Sequence, residues 1–485
     1  MVTEARIELD SYTDSASVIR VRIRTIVMRI LTFVPFAAAL ASALPAQWTL
    51  MAPISSPSAR RAGAAAFDAS QNRMLFVGGI QPSPSTILGQ TWSWNGSLWT
   101  QLAPTGGTVA RWGHGMVRNT NNNRLIVFGG RSPTLSAFAN DTQEWTGTAW
   151  QTIATANAPS ARHQYGFAFD SVRGCAVLFG GRTSTQTLAD TWEYDGANWT
   201  QRAPATTPPA RQEMAMVYDA SLGMVVMFGG FDGTSTVFGD TWVYDGNDWA
   251  VVNPAVAPSA RYRMAAVYDS VRQRTVLFGG YSGTAILTDT HEFIGDDWRP
   301  VSTSVTVPTA STETYHGYDP VRRKFVLFGG FGGTFSSQVW EYTGANTGYF
   351  STFGTACPTV LGEPLLTSNI PRINQPWTVM VNNVPTTCEI VLFAFGLSNT
   401  TWGGGALPFD LAPLGLGGCN LLVAPDLINV QLATGGMAMN TFTFPNNTAL
   451  LNQRMYTQGI LLDLLPAGDW TLLASTKGGR ALIGQ

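Results

Sequence analysis

Between residues 60 and 345 the chain alternates short apolar runs with breaks rich in Gly, Pro, Asp and Ser. Short apolar runs bounded by turn residues predict β-strands, and no stretch here has the period of an amphipathic helix. The runs come in groups of four. The first follows a Pro-x-Ala-Arg segment or its variant, with Arg60, Arg111, Arg162, Arg211 and Arg261 at one position and Ser311 as the exception, and closes on Tyr/Phe-Asp at Asp68, Asp170, Asp219, Asp269 and Asp319. The second ends in Gly-Gly, the third carries an Asp-Thr-Trp-type motif, and the fourth opens on Trp. The doublets begin at Gly78, Gly129, Gly180, Gly229, Gly279 and Gly329, spaced by 51, 51, 49, 50 and 50 residues. Gly-Gly suits a strand end where the chain turns sharply or another backbone comes close, and Asp-Gly in Tyr-Asp-Gly (194–196, 244–246) is a turn between strands three and four. Each group predicts one four-stranded antiparallel sheet. A single such sheet cannot bury both faces, whereas a ring of stacked sheets can.

Six Gly-Gly doublets in register with the Arg, Asp and Trp positions resemble the kelch repeat. The resemblance covers residues 47–350 and implies an all-β, six-bladed kelch-type β-propeller with a central channel. The closing Trp falls at Trp48, Trp99, Trp150, Trp199, Trp249 and Trp298, and the last unit has Thr347 in its place. The spare Trp48 therefore predicts an N-terminal strand that completes the last blade, closes the ring and removes an open sheet edge. Residues 351–485 leave the repeat; their apolar runs, such as 377–384, 388–396 and 459–465, predict a small antiparallel β-sandwich domain. Within it, segments 353–358, 407–411 and 417–426 resemble a module at the C-terminus of secreted bacterial proteins. That resemblance implies an accessory or surface-associated domain and a disulfide between Cys357 and Cys419, leaving Cys175 and Cys388 as buried thiols.

Residues 1–46 read as a signal peptide with an upstream extension. Arg20, Arg22, Arg24 and Arg29 precede an apolar run from Ile30 to Leu44, with small-residue cleavage sites near Ala43 or Ala46; Met1 and Met28 both stand as starts. No other run is long enough to span a bilayer, so the mature chain is expected to be secreted, cell-surface or periplasmic with no transmembrane segment. Charged residues are only 12% of the chain, and 29 basic against 31 acidic residues without a basic cluster argue against nucleic acid.

The chemistry-bearing residues are sparse. The four histidines, His114, His163, His291 and His316, fall in different units at unlike positions, so a galactose-oxidase-like copper centre, which the kelch resemblance brings to mind, is disfavoured. No metal, cofactor or catalytic set is assigned. The Asp of the Asp-Thr-Trp motif recurs at Asp141, Asp190, Asp240 and Asp289, which points to a scaffold role. Variation concentrates elsewhere. The positions after the Arg carry Arg61, Trp112, His163, Glu213, Tyr262, Arg263 and Glu313, and those after Gly-Gly carry Arg131, Arg182, Phe231, Tyr281 and Phe331. In an up-and-down blade both sets lie on one face, so they form the candidate ligand-binding face, made of loop-edge residues replaceable at little cost in stability. The residues read best as a non-enzymatic binding or structural platform for a glycan or a protein or peptide partner. An enzyme of the N-acetylneuraminate epimerase type stays open as the alternative; it needs an acid/base pair, for which Glu213 and Glu313 are the candidates, near an Arg that holds the sugar carboxylate, for which Arg263 is.

The implied Cys357–Cys419 bond would close a loop of about 60 residues and stabilise the exported domain by about 4 kcal/mol. Non-reducing peptide mapping should recover the joined peptides; both thiols free, or Cys357 joined to Cys388, rejects the pairing.

Overall fold

The computed structural model describes residues 46–344 apart from 83–85, 107–109, 134–136 and 302–305, the strands of residues 2–13 and 19–31, and the strand-bearing parts of 349–482. The chain forms two compact units, Leu44–Ala345 and a second made of Met1–Ala43 with Asn346–Gln485.

The first unit is a propeller of six four-stranded antiparallel sheets. In chain order the innermost strands of blades one to six are Ala64–Asp68, Gly115–Arg118, Gly166–Asp170, Ala215–Asp219, Ala265–Asp269 and Tyr315–Asp319. Each packs on the innermost strand of the next blade, and that of blade six packs on that of blade one. Blade six takes its outer strand from Gln47–Met51, which pairs antiparallel with Val339–Thr343 in a register that sets Trp48 opposite Tyr342. Thr347 lies outside the described residues.

The tryptophans explain why the repeat is so regular. Trp150 donates through Nε1 to Thr91 Oγ1 of blade one, and Trp199, Trp249, Trp298 and Trp48 repeat the bond to Thr142, Thr191, Thr241 and Thr290, at 2.8–3.1 Å. Each closing Trp thus ties its blade to the one before it. The sixth such tie is missing: blade six carries Val339 at the Thr position, and Trp99 Nε1 is buried without a partner.

The doublets act at the same interfaces. Both glycines of every doublet have positive φ, from 58° to 112°. In blades two, four and five they do not end the strand but form a bulge within a longer one, Leu125–Ser132, Met224–Phe231 and Arg274–Tyr281. A Cβ at Gly78, Gly129, Gly180, Gly229 or Gly329 would come within 2.3–2.8 Å of the carbonyl oxygen of the neighbouring blade's Arg. Close approach between blades, more than turn formation, demands glycine there.

The second unit has, among its described residues, two larger sheets and two two-stranded ones. Of the larger, one includes Ile390–Gly396, Leu427–Leu432, Arg454–Leu464 and Trp470–Ser475; the other is Leu365–Ser368, Pro376–Asn382 and Met437–Thr443. Trp377, Val379 and Val381 of the second share a core with Val391, Phe393 and Leu461 of the first. Val2–Thr13 and Ile19–Leu31 form a hairpin that joins the first sheet through Val21 and Trp470. Most of the apolar run expected as a signal segment, and both Cys357 and Cys419, lie outside the described residues. Cys175 is a buried free thiol and Cys388 is buried.

Two substitutions should move stability in opposite directions. Trp48→Ala removes a side chain 2% exposed from the core of the last blade and should cost about 3–5 kcal/mol. Val339→Thr supplies the missing acceptor for Trp99 and should add about 1 kcal/mol. Chemical denaturation measures both, and an unchanged midpoint for Trp48→Ala would show that this strand contributes nothing to the propeller.

Candidate functional site

The repeated Arg fixes the geometry of the variable face. Arg111, Arg162, Arg211 and Arg261 are buried, and each donates through Nη1 to the carbonyl of its blade's first doublet glycine at 2.8–3.1 Å. Each also forms a two-pronged ion pair with the Asp of the third strand: Asp141, Asp190, Asp240 and Asp289, at 2.5–3.0 Å. Burial alone would raise Asp190 and Asp240, but the bonds from Arg162 and Arg211 outweigh it and hold both below the ordinary carboxylate range. The recurring Asp is therefore scaffold, as the repetition implied.

With the Arg fixed, the next residue pairs with the residue after Gly-Gly in all six blades: Arg61 with Ile80, Trp112 with Arg131, His163 with Arg182, Gln212 with Phe231, Tyr262 with Tyr281 and Thr312 with Phe331. The two variable sets expected to share a face therefore meet, blade by blade.

One position further on lies a feature invisible in the repeat. Ala62, Gly113, Gln164, Glu213, Arg263 and Glu313 all have φ between 55° and 65°, a left-handed conformation that five non-glycine residues hold at a cost. Their amides close a circle. Gly113 donates to Ala62, Gln164 to Gly113, Glu213 to Gln164, Arg263 to Glu213, Glu313 to Arg263 and Ala62 to Glu313, at 2.7–3.4 Å. A hydrogen-bonded ring of six peptide groups thus rims one mouth of the propeller. Gly113 was the sequence's one clue to it.

Side chains on the ring build a charge ladder across four blades. Arg61 Nη1 meets Glu313 Oε2 at 2.5 Å, Arg263 Nε lies 3.3 Å from Glu313 Oε1 and 2.9 Å from Glu213 Oε1, and Gln164 donates to the same Glu213 oxygen. The carboxylates are inside and the guanidinium groups reach solvent: side-chain exposure is 4% for Glu213 and 8% for Glu313 against 33% for Arg263. Burial, against the pull of Arg263 and with a further push from Glu313, leaves the Glu213 carboxyl raised to about 7. Aromatic groups flank the ladder. Phe231 stacks on Tyr262 at 5.0 Å, Tyr281 meets Tyr262 edge-on at 5.5 Å, and Arg61 lies 5.1 Å over Phe331. On the other side Arg131 lies over Trp112 and Phe138 at 5.4 and 5.2 Å, and His163 touches both rings. Burial lowers His163 to about 4, which keeps it neutral.

Residues 69–255 and 196–352 each match the family model of the KLHDC2/KLHL20/DRC7 Kelch-repeats domain. The chain belongs to the kelch-repeat family. No curated protein matches it.

Within this kelch propeller all twelve expected face residues fall at the ring or beside it. The expectation of cheaply replaceable loop-edge residues fails for several of them: His163 and Glu213 are buried, and Tyr262 and Arg263 are no freer to change. Tyr262 is only 9% exposed, and Arg263 neutralises two buried carboxylates, so its loss strands charge in the interior at a cost on the order of 2 kcal/mol. Phe138 and Phe335 were missed because they lie outside the positions compared between repeats; Gln164 occupies a compared position, but a neutral amide there gave no sign of its bond to Glu213.

The raised Glu213 gives a signed prediction. The folded kelch propeller holds this proton more tightly than the unfolded chain does, so its contribution to stability is full below about pH 4.5 and is lost as pH rises through about 7. Glu213→Gln should therefore gain on the parent by on the order of 2 kcal/mol between pH 5 and 8. Parallel melting curves across that range test it; a constant offset would place the Glu213 proton elsewhere.

Proposed function

We propose that this kelch propeller is an exported, non-catalytic platform that binds a protein segment bearing acidic groups on its Gly-Gly face. One observation carries the reading: the acids of the face are buried and neutralised, while its free positive charge points outward. Arg131 is exposed and Arg182 half-exposed, and neither is held in an ion pair among the described residues. Guanidinium forks beside aromatic planes suit carboxylates on a chain with apolar surface. An epimerase-type enzyme would need a free acid/base pair, whereas Glu213 and Glu313 are engaged by Arg263 and Arg61.

Export rests on the basic and apolar N-terminal segment. Cleavage after Ala43 rather than Ala46 fits the fold, because Ala46 is buried beside Trp48 and Trp340.

The test is an array of acidic, neutral and basic peptides, with a glycan array in parallel, probed with the mature protein. Acidic peptides should bind, and Arg131→Glu with Arg182→Glu should weaken them at least tenfold at unchanged melting temperature. Binding indifferent to the double variant overturns the face; exclusive glycan binding overturns the partner class.

A further inference from the structure

Along its axis the propeller encloses a cavity of about 430 Å³, walled by the innermost strands of all six blades. One end is lined by His114, Tyr165, Met214 and Met264, the residues that directly follow the ring positions 113, 164, 213 and 263; the ring residues themselves do not line it. The other end reaches exposed Thr120 and Ser270 in the turns of the opposite face. The cavity therefore opens away from the face carrying the charge ladder.

Its walls are uneven. Blade one contributes Gly63, Ala64, Ala65 and Ala66, which leave space, and blades three to five contribute Phe167, Met214, Met216 and Met264. Methionines fill irregular space and adapt to an apolar guest. At the open end the residue before the turn is aromatic in five blades: Phe67, Phe169, Tyr218, Tyr268 and Tyr318. Blade two breaks this collar with Arg118, followed by Asn119 where the other blades have Asp.

Arg118 forms no ion pair among the described residues, although the Asp68 carboxylate acts on it through space. Its Nη2 donates to Asn123 Oδ1 at 2.6 Å, its guanidinium lies 5.9 Å over Phe67, and its Nε is buried without a partner. At the closed end His114 is 6% exposed, and both its ring nitrogens are buried without partners. Burial holds this imidazole neutral, with its pKa down at about 3, so it offers one donor and one acceptor. Buried polar groups are ordinarily satisfied, and an orphan is costly to fold around. Two such groups lining one cavity of ligand size, its surface polar and apolar in nearly equal shares, mark a built site.

We propose that the channel binds an elongated apolar carboxylate: the carboxylate at Arg118 within the aromatic collar, the apolar body against the methionine wall, and an uncharged polar group, where the ligand has one, at His114. Four residues of extended strand separate the two anchors, about 13 Å at about 3.3 Å per residue, which a chain of roughly ten to twelve carbons spans.

Calorimetry on the full mature protein with dodecanoate and 12-hydroxydodecanoate tests this. Both should bind saturably at one per chain, the hydroxy acid more tightly. Arg118→Met should weaken both at least tenfold, with Arg118→Gln as the second variant should the first fail to fold. His114→Phe should erase the advantage of the hydroxyl. Saturable binding that survives both Arg118 variants overturns the proposal, as does an absence of binding with only ordered water in the channel.

Discussion

A guanidinium almost without access to water lies under the Gly-Gly doublet of four blades, and the blade is assembled around it. An arginine so buried is tolerable only if every charged edge is met. Here the third strand supplies a carboxylate, and the doublet, by taking positive φ, turns a carbonyl inward. The residue after the Arg pairs with the residue after Gly-Gly, and the one beyond takes the left-handed conformation of the ring; blade six keeps both features with Ser311 in place of the Arg. The variable face is thus suspended from the most repetitive element of the chain, which lets its side chains differ in every blade without disturbing the frame.

Departures from the repeat follow the same logic. Blade one keeps Arg60 but offers the neutral Gln90 in place of Asp. Blade six has lost both partners together, with Ser311 for Arg and Gln338 for Asp, and Gln338 instead accepts from Trp340. Blade one, which lost only the acid, meets its buried guanidinium with the neutral acceptors Ser58 O, Ser58 Oγ and Gln90 Oε1, whereas blade six, having lost both members, has no buried charge to meet. The interface between blades five and six relaxes accordingly. A Cβ on Gly279 would stand 3.8 Å from the Ser311 carbonyl, where the equivalent approach elsewhere is under 3 Å, and the ring's longest bond, 3.4 Å, joins Glu313 to Arg263.

Much of this was legible in sequence because repetition multiplies weak signals. Six doublets in register with Arg, Asp and Trp specify the strands, the blades and the scaffold role of Asp141, Asp190, Asp240 and Asp289. Glu213, Arg263 and Glu313 were also placed together, since equal repeat positions converge around an axis. What could not be read is whatever depends on how side chains fill shared space. Five non-glycine residues in left-handed geometry leave no compositional mark. That Arg263 is spoken for by two buried acids, and is not a free recognition group, follows only from their burial. The axial cavity depends on the small residues at 63–66 lying across from Phe167 and the methionines, a comparison between blades that no single repeat contains.

The ring of six amides has an electrostatic consequence. In a helix the peptide dipoles add along the axis and leave partial charge at the ends. Here the same groups are joined head to tail around a circle, each N–H donating to the preceding blade's carbonyl until the first is reached again. Vectors that run once around a circle sum to zero. The bonds that close the ring therefore leave no net dipole in its plane, and within that plane the field is set by the side chains.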